Sequence, residues 1–234
     1  MSRIYIYPSI LSADFSQLGT EIRTVEKAGA DGIHLDIMDG HFVPNLTIGP
    51  VVVQWLRRVS RLPYWAHLMI ETPSRFLEPF RNAGVNGITI HSEVNEEIET
   101  LIRKIRGMGL GVGISLKPET PFEKIVSFFP LLNRVLILTV PPGFGGQPLM
   151  PEVLEKIKAL RTVLQSKKNR PLIEVDGGIG PDTIEAVVKA GADVLVIGNA
   201  IFGHPRKKEA LSNLRKLAEK ALKEVSWENH NSKR

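Results

Sequence analysis

The sequence predicts a single-domain α/β protein, a (β/α)8 TIM barrel. Three observations carry that expectation. Short β-branched runs alternate with amphipathic stretches along nearly the whole chain. Alternation of this kind implies parallel strands joined by helical crossovers. Eight such units in 234 residues suit a closed barrel better than an open sheet. A weak internal repeat marks the same joint three times: Ala28-Gly29-Ala30-Asp31-Gly32-Ile33, Ala83-Gly84-Val85-Asn86-Gly87-Ile88 and Ala190-Gly191-Ala192-Asp193-Val194-Leu195. Each glycine suits the left-handed position that ends a helix before the next strand.

The elements follow in order. Strands are expected over Ile4–Ile10, Gly32–Ile37, Tyr64–Met69, Gly87–His91, Gly111–Leu116, Arg134–Leu138, Leu172–Val175 and Val194–Ile197. Between them, apolar residues at helical spacing predict helices over Leu18–Ala28, Val51–Val59, Pro73–Ala83, Glu96–Met108, Pro121–Phe128, Pro151–Leu164 and Asp182–Ala190. A last helix is expected over Glu209–Val225. The barrel is assigned to residues 1–226, and the polar, unpatterned 227–234 is expected to fray.

Composition narrows the function. A hydrophobic fraction of 43% and a charged fraction of 24% are those of a soluble globular protein. No apolar run reaches membrane-spanning length, and the chain opens on strand-like Ile4-Tyr5-Ile6, so no membrane partner and no leader are expected. With no cysteine, any metal must use histidines and carboxylates. The net charge of +5 sits largely in Lys167-Lys168, Arg206-Lys207-Lys208 and Lys233-Arg234. These read as solvated faces and a tail, so no nucleic-acid partner is expected. A modest positive field suits a phosphorylated small substrate.

In a barrel of this kind, function sits at the C-terminal ends of the strands. His34 and Asp36 share one strand face, while Leu35 and Ile37 point the other way. Alone, the pair could be a buried hydrogen bond that only orients the strand. His67 and Asp176 stand at equivalent strand ends. Two imidazoles and two carboxylates suit Zn²⁺ or Fe²⁺, with Mn²⁺ or Co²⁺ as substitutes, better than all-oxygen cations. His91 ends the fourth strand as a rival ligand, but its neighbours offer no second carboxylate, and it reads as structural or supporting. Glycines cluster in the last three loops, at Gly143-Phe144-Gly145-Gly146, Gly177-Gly178 and Gly198. Such loops are where these barrels grip phosphate. Gly143 to Gln147 could also move as a lid. Met38 and Met69 would line the pocket.

A divalent ion, two acidic groups and a phosphate grip point to proton abstraction beside a carbonyl. The ion would stabilise the enediolate. One carboxylate would take the proton and the other would return one to the opposite face, inverting the carbon.

Longer motifs sharpen this. Ser9-Ile10-Leu11-Ser12-Ala13-Asp14-Phe15, His34 to Pro50, His67-Leu68-Met69-Ile70, Pro142 to Gln147, Glu174 to Gly178 and Ile197 to Phe202 resemble the ribulose-phosphate 3-epimerase family, in its order. The resemblance spans Pro8 to about Leu222. It implies a metal-dependent enzyme that interconverts D-ribulose 5-phosphate and D-xylulose 5-phosphate in the pentose phosphate pathway. It implies one divalent ion per subunit on His34, Asp36, His67 and Asp176. Asp36 and Asp176 would be the proton-transfer pair, with Asp36 conventionally the acceptor. Ser9 and His67 would touch the ketose phosphate. The backbone of Gly143, Phe144, Gly145, Gly146, Gly177, Gly178, Gly198 and Asn199 would hold it, chiefly at the phosphate. The family also implies a cytoplasmic homo-oligomer. Leu138 stands where the family often has methionine, Asn199 where it usually has serine, and Pro141 where a polar residue is more usual. The alternative activity is D-allulose-6-phosphate 3-epimerase, which is similar in the His–Asp and His–Leu–Met motifs.

Overall fold

The computed structural model describes residues 3–165, 167 and 169–231, with side chains to Val225. Eight strands form one parallel sheet: β1 (Tyr5–Pro8), β2 (Ile33–Met38), β3 (Tyr64–Met69), β4 (Gly87–His91), β5 (Gly111–Leu116), β6 (Arg134–Leu138), β7 (Leu172–Asp176) and β8 (Val194–Ile197). Their order is β1-β8-β7-β6-β5-β4-β3-β2. A parallel bridge between Ser9 and His34 brings the first and last strands of that order together. The expected (β/α)8 barrel is borne out.

The helices are α1 (Leu18–Lys27), α2 (Pro50–Leu56), α3 (Leu77–Asn82), α4 (Ile98–Gly107), α5 (Val153–Gln165), α6 (Ile184–Ala190), α7 (Asn199–Phe202) and α8 (Lys207–Asn231). At the three repeated joints, Gly29 (φ 92°), Gly84 (φ 92°) and Gly191 (φ 118°) all adopt positive φ. A side chain there would be strained, which explains the repeat.

Two segments differ from expectation. The stretch predicted as a helix over Pro121–Phe128 is a 3-10 helix over Phe122–Leu131, with Pro130 inside it. Pro130 has no N–H to donate, so no helical bond of either kind closes at that residue. The last helix continues through Asn231, so most of the segment expected to fray is helical. Residues 232–234 of that segment lie outside the described residues.

Strand alternation sorts the side chains into two layers. Outward-facing Leu35, Ile37, Ile88, Ile90, Val135, Ile173 and Val175 join Ile22, Val25, Leu101, Leu160, Val187 and Leu214 of the helices in one apolar core. The barrel interior is different. Tyr7, Trp65 and Val194 form a small separate cluster at its base. The Arg134 guanidinium lies 3.7 Å from the Trp65 ring centroid and 4.2 Å from that of Tyr7. It pairs with the fully buried Glu174 at 3.1 Å.

Strand glycines make room for this filling. A Cβ on Gly87 would lie 2.5 Å from the Trp65 ring, and one on Gly111 would lie 2.6 Å from it. Gly87→Ala is therefore expected to cost about 1–3 kcal/mol through overpacking. In denaturant unfolding the midpoint should drop with the slope unchanged. An unaltered midpoint would mean that the indole has space to retreat.

Candidate metal and acid–base centre

Strand register assembles the centre. Asp36 on β2 is opposite His67 on β3, and Asp176 on β7 is flanked by Leu138 on β6 and Val196 on β8. One donor atom from each of His34, Asp36, His67 and Asp176 lies within 4.8 Å of the others. A ligand shell of ~2.0–2.2 Å bonds closes such a span with small side-chain adjustments.

His34 and His67 are fully buried. His34 Nε2 and His67 Nδ1 each approach Asp36 Oδ1 at 3.3 Å. Both His34 nitrogens are buried without a well-formed hydrogen bond. A buried imidazole left in that state is costly unless something else engages it. The donor chemistry and the unengaged ring both fit a divalent cation. Ser9 Oγ donates to Asp36 Oδ2 at 2.5 Å. The Asp36 backbone carbonyl accepts from Thr47 Oγ1 at 2.6 Å, while Thr139 holds the Asp176 carbonyl through N–H (2.8 Å) and Oγ1 (2.9 Å).

The two aspartates are driven in opposite directions. Burial, reinforced by the charge of Asp36, pushes Asp176 up to about 7. Burial alone would also raise Asp36, but His34 and then His67 outweigh it and hold that carboxyl well below the usual range. Burial disfavours a charged His34, yet Asp36 and Glu174 overcome this and raise it well above its ordinary value. Divergent environments of this kind mark an acid and a base.

Above the cluster is a cavity of about 260 Å³. Asp36, His67 and Asp176 form its floor, with Ser9 beside them. Met38, Met69 and Leu138 supply apolar wall. Gly143, Phe144, Gly145, Gly146, Gly177, Gly178, Gly198 and Asn199 are among the residues that line the rest. His34 is buried beside Asp36 and does not reach the cavity. Gly177 (φ 118°) and Gly178 (φ 61°) need left-handed backbone, and a Cβ on Gly178 would collide with the Leu149 backbone. Within the loop after β6, Gln147 Nε2 donates to the Pro141 (2.8 Å) and Phe144 (2.9 Å) carbonyls. Asn45 Nδ2 reaches across from the loop after β2 to the Gly143 carbonyl at 2.8 Å.

The sequence profile of the ribulose-phosphate 3 epimerase family matches residues 5–202. The chain belongs to the ribulose-phosphate 3-epimerase family. A ribulose-phosphate 3-epimerase of Bacillus subtilis (strain 168) is 47% identical over 213 residues, covering 91% of this chain and 98% of that one. A cytoplasmic isoform of the epimerase from Oryza sativa subsp. japonica is 46% identical, covering 92% and 94%. Among solved structures, orotidine 5'-phosphate decarboxylase from Pyrococcus horikoshii OT3 superposes with a TM-score of 0.68 at 16% identity, covering 92% of this chain and 99% of that one. That likeness is one of fold. The expected epimerase assignment is borne out. Among the described residues, no helix is long and apolar enough to cross a membrane.

The expectation that His91 lacks a neighbouring carboxylate does not hold. His91 does have a carboxylate beside it: Glu93 Oε2 is 3.0 Å from His91 Nδ1. Glu93 lies beyond the end of β4, where strand alternation no longer says which way a side chain points. Burial pushes Glu93 up, but bonds from His91, Thr120 and the Lys117 N–H bring it down to about 2. Glu174, two residues before Asp176 on β7, shares the inner face with it. Its Oε1 is 3.5 Å from His34 Nδ1.

Proposed function

We propose that the chain inverts C3 of D-ribulose 5-phosphate to give D-xylulose 5-phosphate, and the reverse, with Asp36 and Asp176 as the acid–base pair. The observation that carries this reading is the opposed displacement of two carboxyls on one cavity floor. An ionised Asp36 is ready to accept the C3 proton. An Asp176 that titrates near 7 is ready to deliver one from the other side. The substrate passes through an enediolate, and the roles exchange when the reaction runs backwards.

His34, Asp36, His67 and Asp176 would hold one divalent ion, Zn²⁺ or Fe²⁺ by donor preference, with Mn²⁺ or Co²⁺ as substitutes. When bound, that ion supplies Lewis-acid stabilisation of the negative charge that develops on oxygen. Ser9 orients Asp36 and lies beside the substrate, and His67 reaches it from the floor. Gly143 to Gly146, Gly177, Gly178, Gly198 and Asn199 hold the phosphate end through backbone groups. Met38, Met69 and Leu138 keep the reacting carbon away from water. The catalytic unit is residues 1–226. A cytoplasmic homo-oligomer acting in the pentose phosphate pathway completes the proposal; the Oryza sativa relative, described as a cytoplasmic isoform, supports the location.

The test is turnover of ribulose 5-phosphate in D₂O, followed by NMR with the protein loaded with Fe²⁺ or Zn²⁺. Xylulose 5-phosphate carrying deuterium at C3 is expected. Preference for allulose 6-phosphate by a wide margin would overturn the substrate assignment.

A further inference from the structure

His67 does not stand alone. Its Nδ1 faces Asp36, and its Nε2 lies 2.9 Å from Nε2 of His91. The two rings meet end to end, with centroids 4.9 Å apart and an interplanar angle of 24°. His91 Nδ1 in turn lies 3.0 Å from Glu93 Oε2. The other Glu93 oxygen accepts the backbone N–H of Lys117 at 3.0 Å. Both imidazoles are fully buried.

A chain of this kind has two possible proton arrangements. One proton lies between the two Nε2 atoms, and one imidazole must donate it while the other accepts. An ionised carboxylate has no proton to give, so Glu93 can only accept. It therefore demands a proton on His91 Nδ1. A neutral His91 is then bare at Nε2 and must accept there. The shared proton belongs to His67 Nε2, and the His67 Nδ1 lone pair is left facing the cluster. The opposite arrangement would let His67 Nδ1 donate to Asp36 Oδ1 across 3.3 Å, although Asp36 already accepts from Ser9 and also faces His34 Nε2. It would set a bare His91 nitrogen against Glu93 at the shorter distance of 3.0 Å. It would also put a proton on His67 Nδ1, where a cation has to bind.

We propose that Glu93 is a positioning residue. Acting through His91, it fixes the tautomer of His67 that presents Nδ1 to a divalent cation, and it thereby sets the affinity of the centre. This rests on the metal reading above and adds two residues to it. Partners that orient a ligating histidine change metal affinity by about 10- to 100-fold when they are altered.

Glu93→Gln is a sharp test because it reverses the relay. Its amide oxygen can keep the Lys117 N–H, which turns the amide NH₂ toward His91 Nδ1. That nitrogen must then accept, His91 carries its proton on Nε2, and His67 is driven to the Nδ1–H form. Histidine ring nitrogens in the metal-free protein would be read by long-range ¹H–¹⁵N NMR, and Zn²⁺ affinity by competition with a chelating dye. In the wild type, His67 Nδ1 is expected to be pyridine-like and His91 Nδ1 pyrrole-like. In Glu93→Gln both should exchange character, and the Zn²⁺ dissociation constant should rise about 10- to 100-fold. Glu93→Asp, which still only accepts, should keep the wild-type tautomers and most of the affinity. Unfolding of the metal-free variants checks that they fold.

Unchanged ring-nitrogen shifts in Glu93→Gln would overturn the proposal. So would reversed tautomers with unaltered Zn²⁺ affinity, or a wild-type His67 protonated at Nδ1. A wild-type protein that takes up no divalent ion would sink the metal reading and the affinity claim with it. Normal metal uptake with tautomers that ignore residue 93 would sink only the relay.

Discussion

Asp36→Asn and Asp176→Asn are each expected to lower kcat for epimerisation by about 10²–10⁴-fold, the usual contribution of a positioned acid or base. Both variants should fold, because asparagine is nearly the same size and keeps one oxygen. The stronger expectation concerns isotope exchange. With Asp176→Asn, Asp36 can still take the C3 proton of ribulose 5-phosphate and return a solvent deuteron to the same face. Ribulose 5-phosphate should then gain deuterium in D₂O without inverting, while xylulose 5-phosphate should not exchange. Asp36→Asn should show the opposite pattern. Each substrate carries its C3 hydrogen toward one aspartate, so removing one base disables one face only. NMR of each sugar phosphate incubated separately would settle it. Inversion at near the wild-type rate in either variant, or exchange from both substrates, would exclude two aspartates acting on opposite faces.

The barrel was legible because alternation is a whole-chain property that single misplaced boundaries do not disturb. The strands at Tyr64–Met69, Gly87–His91 and Gly111–Leu116 were placed to the residue. The site was legible wherever a side chain stands inside a strand. His34, Asp36 and His67 can be assigned to the inner face from alternation alone. Where the chain leaves a strand, that inference stops. Glu93 lies two residues past His91 and Asn45 lies in the loop after β2, and tertiary packing alone decides where they point. Pairing across the barrel was equally hidden. Nothing local to Arg134 says that it will lie on Trp65 and Tyr7 beside Glu174, although all four contribute to the polar interior. The 3-10 helix over Phe122–Leu131 was obscured for another reason. Its apolar spacing is compatible with an α-helix, and nothing local to those residues marks the tighter winding.

The stabilisation gained on adding Zn²⁺ to the metal-free protein is expected to grow as pH rises from about 5 to about 8. Asp176 is raised to about 7 in the folded chain by burial first and by Asp36 second. The folded state therefore keeps a proton that the unfolded chain gives up near its ordinary value of 3.8. The stabilising contribution of that group is fully present below the unfolded value and is lost as pH climbs through about 7. His34 acts in the same direction, because its folded value is also raised, by Asp36 and Glu174 against the effect of burial. Asp36 is lowered, so its contribution is present above the unfolded value and disappears only in acid, outside this window. His67 and His91 act the other way below about 6.5, because burial lowers both from that value. The metal-free protein should thus lose stability with rising pH only from about 6.5 upward. A cation needs the same groups deprotonated, so uptake must displace their protons below neutrality and none where they are already bare. Above about pH 6.5 the two trends reinforce one another, and below it the growing ease of deprotonation alone widens the gap. Melting curves at pH 5, 6, 7 and 8, each with chelator and with excess Zn²⁺, should show a widening gap in Tm. Proton release measured in two buffers of different ionisation enthalpy should fall toward zero as pH passes the folded values. A gap in Tm that stays constant across the series would mean that Asp176 and His34 do not bind the ion, and the four-residue centre would have to be redrawn around Asp36 and His67.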